Sequence, residues 1–267
     1  MTPEEFAAAR RSLTDELIAA LVELFQALGA WREPDMEAFR AQAVPAVQAG
    51  QRELGALAAA FMADQATQAL GYGVAPPPIP DAALVGLRRG ATPEEVYRRP
   101  FATIYAHLAG GEALTEAVER GQTRLEEVVE ADLQQTYAHA VQAAMEALEV
   151  AEDDQPQFWR RVLMGEESCA LCVIASTQRY RVEDLNPVHP GCDCEVRPLF
   201  GGDPGQVIDP DLLDRVHASV EELTGESDRG GRATDYRQLM VRMTREHGEL
   251  GPMLVRPRDN FTSADDL

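Results

Sequence analysis

A long repeat of apolar side chains between residues 112 and 150 constrains the fold more than any other feature of the sequence. Its members recur at every fourth residue, the spacing of one helix face: Leu125, Val129, Leu133, Tyr137, Val141 and Met145. A helix over residues 112–150 would be on the order of 55 Å long, too long to bury alone in one compact domain. We therefore expect it to span a helical region or project from it. Packing against other helices is favoured over an exposed coiled coil.

Two copies of the tetrapeptide TPEE, at residues 2–5 and 92–95, predict helix starts. Each offers Thr as the N-cap, Pro at the first helical position and Glu at the third. After the first copy, apolar residues follow helical spacing as far as Leu28. Short helices are expected on either side of Gly90.

A second long helix is predicted from Asp35 to about residue 70, with Pro45 expected to kink or split it. The Gly- and Pro-rich segment GYGVAPPPIP, residues 71–80, then predicts a stiff, extended connector. The polar, acidic segment AEDDQPQ, residues 151–157, ends the helical patterns and predicts a domain boundary.

The composition favours a mainly helical fold, because alanine supplies much of the 45% hydrophobic content and aromatic residues make up only 6%. Beyond the boundary, the runs FWRRVLM and CEVRPLF read as short strands. We therefore expect an α+β protein, mainly α. Its parts are a helical domain over residues 1–150, a small α+β domain over residues 151–206 that contains all four cysteines, and a C-terminal helix with a flexible tail over residues 207–267.

The last part contains one clear helical pattern, from Asp211 to about residue 223. The composition of residues 225–235 is that of a flexible linker, and a short helix is predicted around residues 236–246. The remaining residues, from Gly251, are expected to be extended and ordered only against a partner.

The charge restricts the classes of partner, because a net charge of −21 repels phosphate backbones. Strong general nucleic-acid binding is therefore not expected. No stretch approaches the roughly 20 apolar residues of a membrane span, and the first residues lack the pattern of a secretory signal. These features predict a soluble protein made in a reducing cytoplasm, with no membrane partner, where clustered cysteines serve as ligands more readily than as disulfides.

All four cysteines lie in one short stretch, which also contains a histidine. The motifs are C-x2-C, followed after sixteen residues by H-x2-C-x-C, and their candidate ligands are Cys169, Cys172, His189, Cys192 and Cys194. Two such knuckles at this separation are typical of a tetrahedral zinc site. Thiolate and imidazole ligands suit zinc better than calcium or magnesium.

A tetrahedral site has four places, so one of the five candidates is left over. Cys169 and Cys172 form the first pair. The second pair is either His189 with one of the late cysteines, Cys194 being favoured, or Cys192 and Cys194 without the histidine. A set with a thiolate majority indicates a closed, structural zinc, which would supply folding energy that a small core lacks.

Two other interpretations of the stretch receive less support. Plain buried thiols are common among isolated cysteines but do not account for two tight pairs. A catalytic zinc would need an open position and a nearby base, for which Glu166, Glu167 and Asp193 are candidates.

Proteolysis is an alternative with little motif support. Ser168 and Ser176 flank the first cysteine pair without a distinctive setting, and no G-x-S-x-G motif is present. A serine protease needs a base beside its nucleophile, and His247 is the best candidate for that base. Cys192 is the one candidate thiol nucleophile. A zinc-knuckle nuclease is less favoured still, because no His-Asn-His arrangement follows the second knuckle and the acidic charge opposes DNA approach.

The stretch CALCVIASTQRY, followed by PVHPGCDCEVRPLF, resembles the C-terminal domain of the Mu F-like phage head morphogenesis proteins. The shared pattern is a cysteine pair, a short strand with an aromatic residue, then HP-x-C-x-C and another strand. The ending REHGELGPMLVRPRDNFT is similar to minor capsid proteins of tailed phages that infect actinobacteria. The resemblance is closest over residues 158–200, weaker over residues 244–262 and architectural elsewhere.

This resemblance implies a structural role in the virion. Proteins of the family enter the procapsid in few copies, associate with the portal protein inside the head, and aid head assembly or DNA packaging and ejection. Scaffold and major capsid proteins are further expected partners. Similar proteins are often labelled capsid maturation protease, which keeps proteolysis as the alternative function, although the residues do not indicate it by themselves.

Overall fold

The computed structural model describes residues 1–85, 90–164, 167–185, 194–225, 240–242 and 253–255. Its class is α+β and mainly α, as predicted. The described chain forms two compact units, each with its own internal packing. The helical unit comprises Met1–Gln155 with Leu185, and the cysteine unit comprises Pro156–Asp184 and the described residues from Cys194 onward.

The described residues of the helical unit form six α-helices. Their bounds are α1 Pro3–Gln26, α2 Glu33–Leu70, α3 Asp81–Leu84, α4 Pro93–Val96, α5 Arg99–Ala109 and α6 Leu114–Glu146. Both TPEE segments form the predicted capping boxes. In the first, the Glu5 amide donates to Thr2 Oγ1 at 3.2 Å while the Thr2 amide donates to the Glu5 carboxylate at 2.7 Å. Thr92 and Glu95 repeat both bonds at the same distances.

Helix α2 runs without interruption through Pro45, so of the two predicted outcomes, a kink or a split, the split does not occur. Pro45 is exposed, as is Ala41 four residues earlier, whose carbonyl loses its helical donor. Water can satisfy that carbonyl on an exposed face, and the apolar face of the same helix, which includes Phe39, Val47 and Leu54, is fully packed. Packing of the buried face therefore holds the helix together across the proline.

Helix α6 is the centre of the helical unit and packs against α1, α2, α3 and α5. All six residues of its apolar repeat are buried, which confirms that the helix packs within the helical region. Gly121 lets α5 approach closely, because a Cβ at this position would lie 2.5 Å from the Ile104 side chain.

An aromatic cluster fills one part of this core. Phe25 meets Phe39 and Phe101 edge to face, with ring centroids 5.5 and 5.4 Å apart. Trp31 adds a third ring 4.6 Å from Phe25. The backbone of Trp31 has φ 54, a left-handed conformation, and its carbonyl accepts a bond from the Tyr105 hydroxyl at 3.0 Å. Such ring pairs add to the apolar area that they bury.

The cysteine unit is built on two small antiparallel sheets. In the first, the central strand β1, Phe158–Val162, pairs with β3, Arg179–Arg181, on one side and with β4, Glu195–Leu199, on the other. The predicted strands at both cysteine-flanking runs are therefore present. Helix α7, Ala170–Ser176, packs against β1.

The second sheet joins segments that are far apart in the sequence. Strand β2, Glu167–Cys169, pairs with β5, Met240–Arg242, which pairs in turn with β6, Met253–Val255. The predicted helix around residues 236–246 is therefore wrong at residues 240–242. The extended backbone expected near the end is present at Met253–Val255, but these residues pair within the chain and do not need an external partner.

Helix α8, Pro210–Thr224, confirms the helical pattern predicted from Asp211. Asp209 caps it, its carboxylate accepting from the Leu212 amide at 2.9 Å. Along the described chain, no helix is both long and apolar enough to cross a membrane.

Candidate metal centre

The cysteines flank short elements of the cysteine unit. Cys169 ends β2, and Cys172 lies in the first turn of α7, so the C-x2-C spacing spans the junction of a strand and a helix. Cys194 immediately precedes β4. The side chains of Cys172 and Cys194 are buried, at 2% and 4% exposure. Helix α7, which contains Cys172, and strand β4, which follows Cys194, both contact the central strand β1.

One face of β1 carries a packed aromatic pair beside these elements. Trp159 and Tyr180 are opposite each other in the strand register and stack with centroids 4.8 Å apart. The Trp159 indole donates to the Arg181 carbonyl at 2.8 Å. The Arg161 guanidinium lies over the indole ring, 5.0 Å from its centroid, a geometry in which the ring quadrupole attracts the cation.

Tyr180 connects this aromatic pair to the first cysteine knuckle electrostatically. Burial raises the pKa of its hydroxyl, the Arg161 charge lowers it and the Cys172 thiol raises it further. Cys172, Arg161 and Tyr180 therefore share one environment.

The structure places only part of the predicted ligand set. The backbone of Cys169 is described but its side chain is not, and His189 and Cys192 lie outside the described residues. Among the residues whose positions are described, no group of three or more Cys, His, Asp or Glu forms a metal cluster. The two late-ligand alternatives are therefore both still predictions.

The candidate catalytic residues are not assembled within the described part of the chain. The Ser176 hydroxyl is buried and donates to the Val173 carbonyl at 2.7 Å, a bond inside its own helix. Ser168 belongs to β2, and its side chain is not described, while Glu166, Asp193 and His247 lie outside the described residues. His107, in the helical unit, contacts the Glu112 carboxylate at 2.8 Å.

Sequence reasoning missed two buried charged residues near the cysteines, Arg161 and Glu195, which are 7% and 1% exposed. A local signal for Arg161 exists, because it lies two residues after Trp159 and so shares its strand face. Glu195 directly follows Cys194 and opens β4. Buried charges require paired or hydrogen-bonded surroundings, so this end of the sheet is polar as well as thiol-bearing.

The fold and these side chains define a class of mainly helical α+β protein with a small, separately packed cysteine unit. The family model described as VG15 protein matches residues 2–220. The chain therefore belongs to the VG15 family, which is a family of phage proteins. Comparison with curated proteins finds no match, and comparison with solved structures finds none either.

Proposed function

We propose that the chain is a structural head morphogenesis protein of the Mu F-like type, a minor capsid component that works at the phage portal. Membership of a phage protein family supports a role in the virus particle. The resemblance of residues 158–200 to Mu F-like domains supports the narrower role. The proposed location is the head interior, near the portal, after synthesis in the host cytoplasm.

One observation carries the structural part of this proposal: Cys172, in α7, and Cys194, next to β4, are both buried, and both of these elements contact β1. Twenty-one residues separate these two cysteines in the sequence, and the fold returns both to one small unit. A unit with strands of three to five residues has little apolar core, and a bound metal supplies folding energy in such cases. We propose a structural zinc held by Cys169, Cys172 and two of His189, Cys192 and Cys194.

Assembly is favoured over catalysis by what the structure does with its polar groups. The hydroxyl of Ser176 is committed to its own helix, and His107 is engaged by Glu112 in the helical unit. Neither therefore has the nucleophile–base geometry that acyl transfer requires. The long helices of the helical unit are packed by apolar side chains, as expected of a structural protein.

We propose the C-terminal segment as the docking element and begin it after Val255. Residues 253–255 form the edge strand β6 of the chain's own sheet, so removing them would damage the cysteine unit itself. Residues 256–267 can be removed while β6 is retained. They contain Arg256, Arg258 and Phe261, which could contact a portal surface.

Two truncations and one knockout test the proposal in phage particles. A phage lacking the gene is complemented with the intact chain, with a chain ending at Val255, or with a chain ending at Gly251. Mass spectrometry of purified heads should find the intact chain, much less of the chain ending at Val255, and none of the shortest chain. Absence of the intact chain from heads would overturn the structural role, whereas normal incorporation of the Val255 truncation would remove only the docking element.

The same infections separate assembly from proteolysis. Major capsid and scaffold proteins should be processed equally with the intact chain and with a His247→Ala variant. Processing that is lost in this variant, while the variant still enters heads, would establish the capsid maturation protease instead.

A further inference from the structure

Four arginines lie on one face of the β3-β1-β4 sheet. The register places Arg160 directly opposite Arg179 on one neighbouring strand and Arg197 on the other. Arg181 is opposite Phe158, two positions along the same face. Residues that are directly opposite in antiparallel strands point to the same side of the sheet. We call Arg160, Arg179, Arg181 and Arg197 the arginine face.

The packing of this face confirms the side assignment. The Arg179 guanidinium lies over the Phe158 ring, 3.8 Å from its centroid, and these two residues are diagonal neighbours in the register. Trp159, Tyr180 and Arg161 belong to the opposite, packed face. The sheet therefore divides into an aromatic side and a cationic side.

Besides its four arginines, this side of the sheet carries one buried carboxylate, because Glu195 lies opposite Val162 in the register. Arg179 is matched by Asp203 through two contacts, at 2.6 and 2.7 Å, and Arg181 lies 3.8 Å from Glu183. For Arg160 and Arg197 the described residues provide no ion pair, and the buried Nε of Arg160 has no hydrogen-bond partner among them. Like charges directly opposite each other destabilise a sheet, so a bound anionic group would stabilise this arrangement.

We infer that the arginine face binds an acidic segment of a protein partner, with side-chain carboxylates placed against Arg160 and Arg197. Guanidinium groups hold carboxylates through paired, charge-assisted hydrogen bonds. Asp203 already makes such a pair with Arg179 on this face, which shows the geometry that a partner carboxylate would repeat.

A peptide fits this face better than a nucleic acid does. The carboxylates of Asp203 and Glu183 border the arginines, and the whole chain carries a net charge of −21. A duplex would bring a continuous row of phosphates against these charges. A short acidic segment brings only a few carboxylates, so it meets less repulsion from the chain's own acidic groups.

Fluorescence anisotropy with the full-length protein tests this inference. The probe is a labelled peptide of about ten residues with about three Asp or Glu residues among Gly and Ser, in about 50 mM NaCl so that screening is weak. The double variant Arg160→Gln/Arg197→Gln should weaken binding by about tenfold or more, because charge-assisted bonds are lost. The matched control, Arg11→Gln/Arg120→Gln, removes two exposed helical arginines and should change affinity by less than about twofold.

A second variant tests whether a peptide carboxylate competes with Asp203 for Arg179. Asp203→Asn frees Arg179 while leaving an oxygen to accept from the Gly205 amide, a bond of 2.8 Å. It should tighten peptide binding by several-fold, because the internal competitor is gone. Unchanged thermal unfolding of each variant shows that the sheet is intact.

The inference is overturned by any of three results. The first is that the peptide does not bind, and the second is that the control variant weakens binding as much as the test variant. The third is that a DNA duplex of about 20 base pairs binds through the same arginines more tightly than the peptide. Because the measurement uses purified protein and no phage particle, it stands or falls independently of the portal role.

Discussion

The two units of this chain are stabilised in different ways. The helical unit buries long apolar stripes, and its largest helix contacts join sequence neighbours, such as α5 and α6, as well as distant helices, such as α2 and α6. The cysteine unit has strands of three to five residues and joins β2 to β5 across about seventy residues of sequence. It also buries Arg161, Glu195 and two thiols.

This difference shows what each unit needs in order to fold. Helices gain hydrogen bonds locally and then add packing, so the first unit can form from its own residues. The second must close long loops, which costs entropy before any contact is gained. It therefore depends on strong anchors, and we expect a metal to be the largest of them.

The largest expected effect is produced by removing the proposed zinc. In a Trp31→Phe background, Trp159 reports the cysteine unit alone, because the chain has two tryptophans. Cys172→Ser should abolish zinc binding and expose Trp159, since structural zinc contributes on the order of 10 kcal/mol. Far-ultraviolet circular dichroism should keep most of its helical signal. A folded variant without zinc, measured by elemental analysis and Trp159 emission, would show that the metal is not the anchor.

The converse experiment weakens the helical unit. Phe101→Ala removes a ring that packs against both Phe25 and Phe39 and should lower the free energy of unfolding by about 3–5 kcal/mol. Denaturant titration followed by Trp31 emission measures it. Tyr105→Phe, which removes only the hydroxyl bond to the Trp31 carbonyl, should cost about 1 kcal/mol or less. Loss of zinc in Phe101→Ala would contradict the separate stabilisation of the two units.

A smaller effect is expected from one buried polar bond of the helical unit. The Tyr97 hydroxyl donates to the Asp132 carboxylate at 3.1 Å, in a buried place that joins the end of α4 to α6. Tyr97→Phe should destabilise the unit by about 1–3 kcal/mol, because the carboxylate loses a donor where water does not replace it. An unchanged denaturation midpoint would show that other donors to Asp132 compensate.

The smallest effects compare the two TPEE caps. Thr2→Ala and Thr92→Ala should each cost about 1 kcal/mol, and the serine variants only a few tenths, because a hydroxyl is enough for the capping bond. Thermal unfolding of the four variants measures this. A much larger loss at Thr92, which heads a helix of four residues, would mean that this cap also fixes the chain path into α5.

Much of the helical unit could be predicted from the sequence, because its signals are local. The apolar repeat of α6 and the two capping boxes need no knowledge of distant residues. The continuity of α2 through Pro45 could not be predicted, since the exposed position that makes the proline tolerable depends on packing that the sequence does not display. Residues 240–242 were predicted as helix and form β5, because pairing with β2 overrides a weak local preference.

The cysteine unit was less accessible to prediction. The spacing of the cysteines indicated a shared site, and the burial of Cys172 and Cys194 agrees with one compact unit. The arginine face could not be anticipated, because Arg160, Arg179 and Arg197 become neighbours only through the strand register. Register depends on which strands pair. The residues next to Arg160 and Arg197 in the sequence do not indicate that pairing.

The pairing of Cys169 with Met240 also determines when this sheet can form during synthesis on the ribosome. At roughly 5–20 residues per second, the strand that completes this sheet is made several seconds after the first cysteines. During that interval the helical unit can already fold, while the first cysteine pair lacks both the proposed second pair of metal ligands and its partner strand. Those seconds are when the nascent thiols are most open to oxidation or to the wrong metal. If the proposed zinc is bound, its supply in the cell would determine how much of the protein matures correctly.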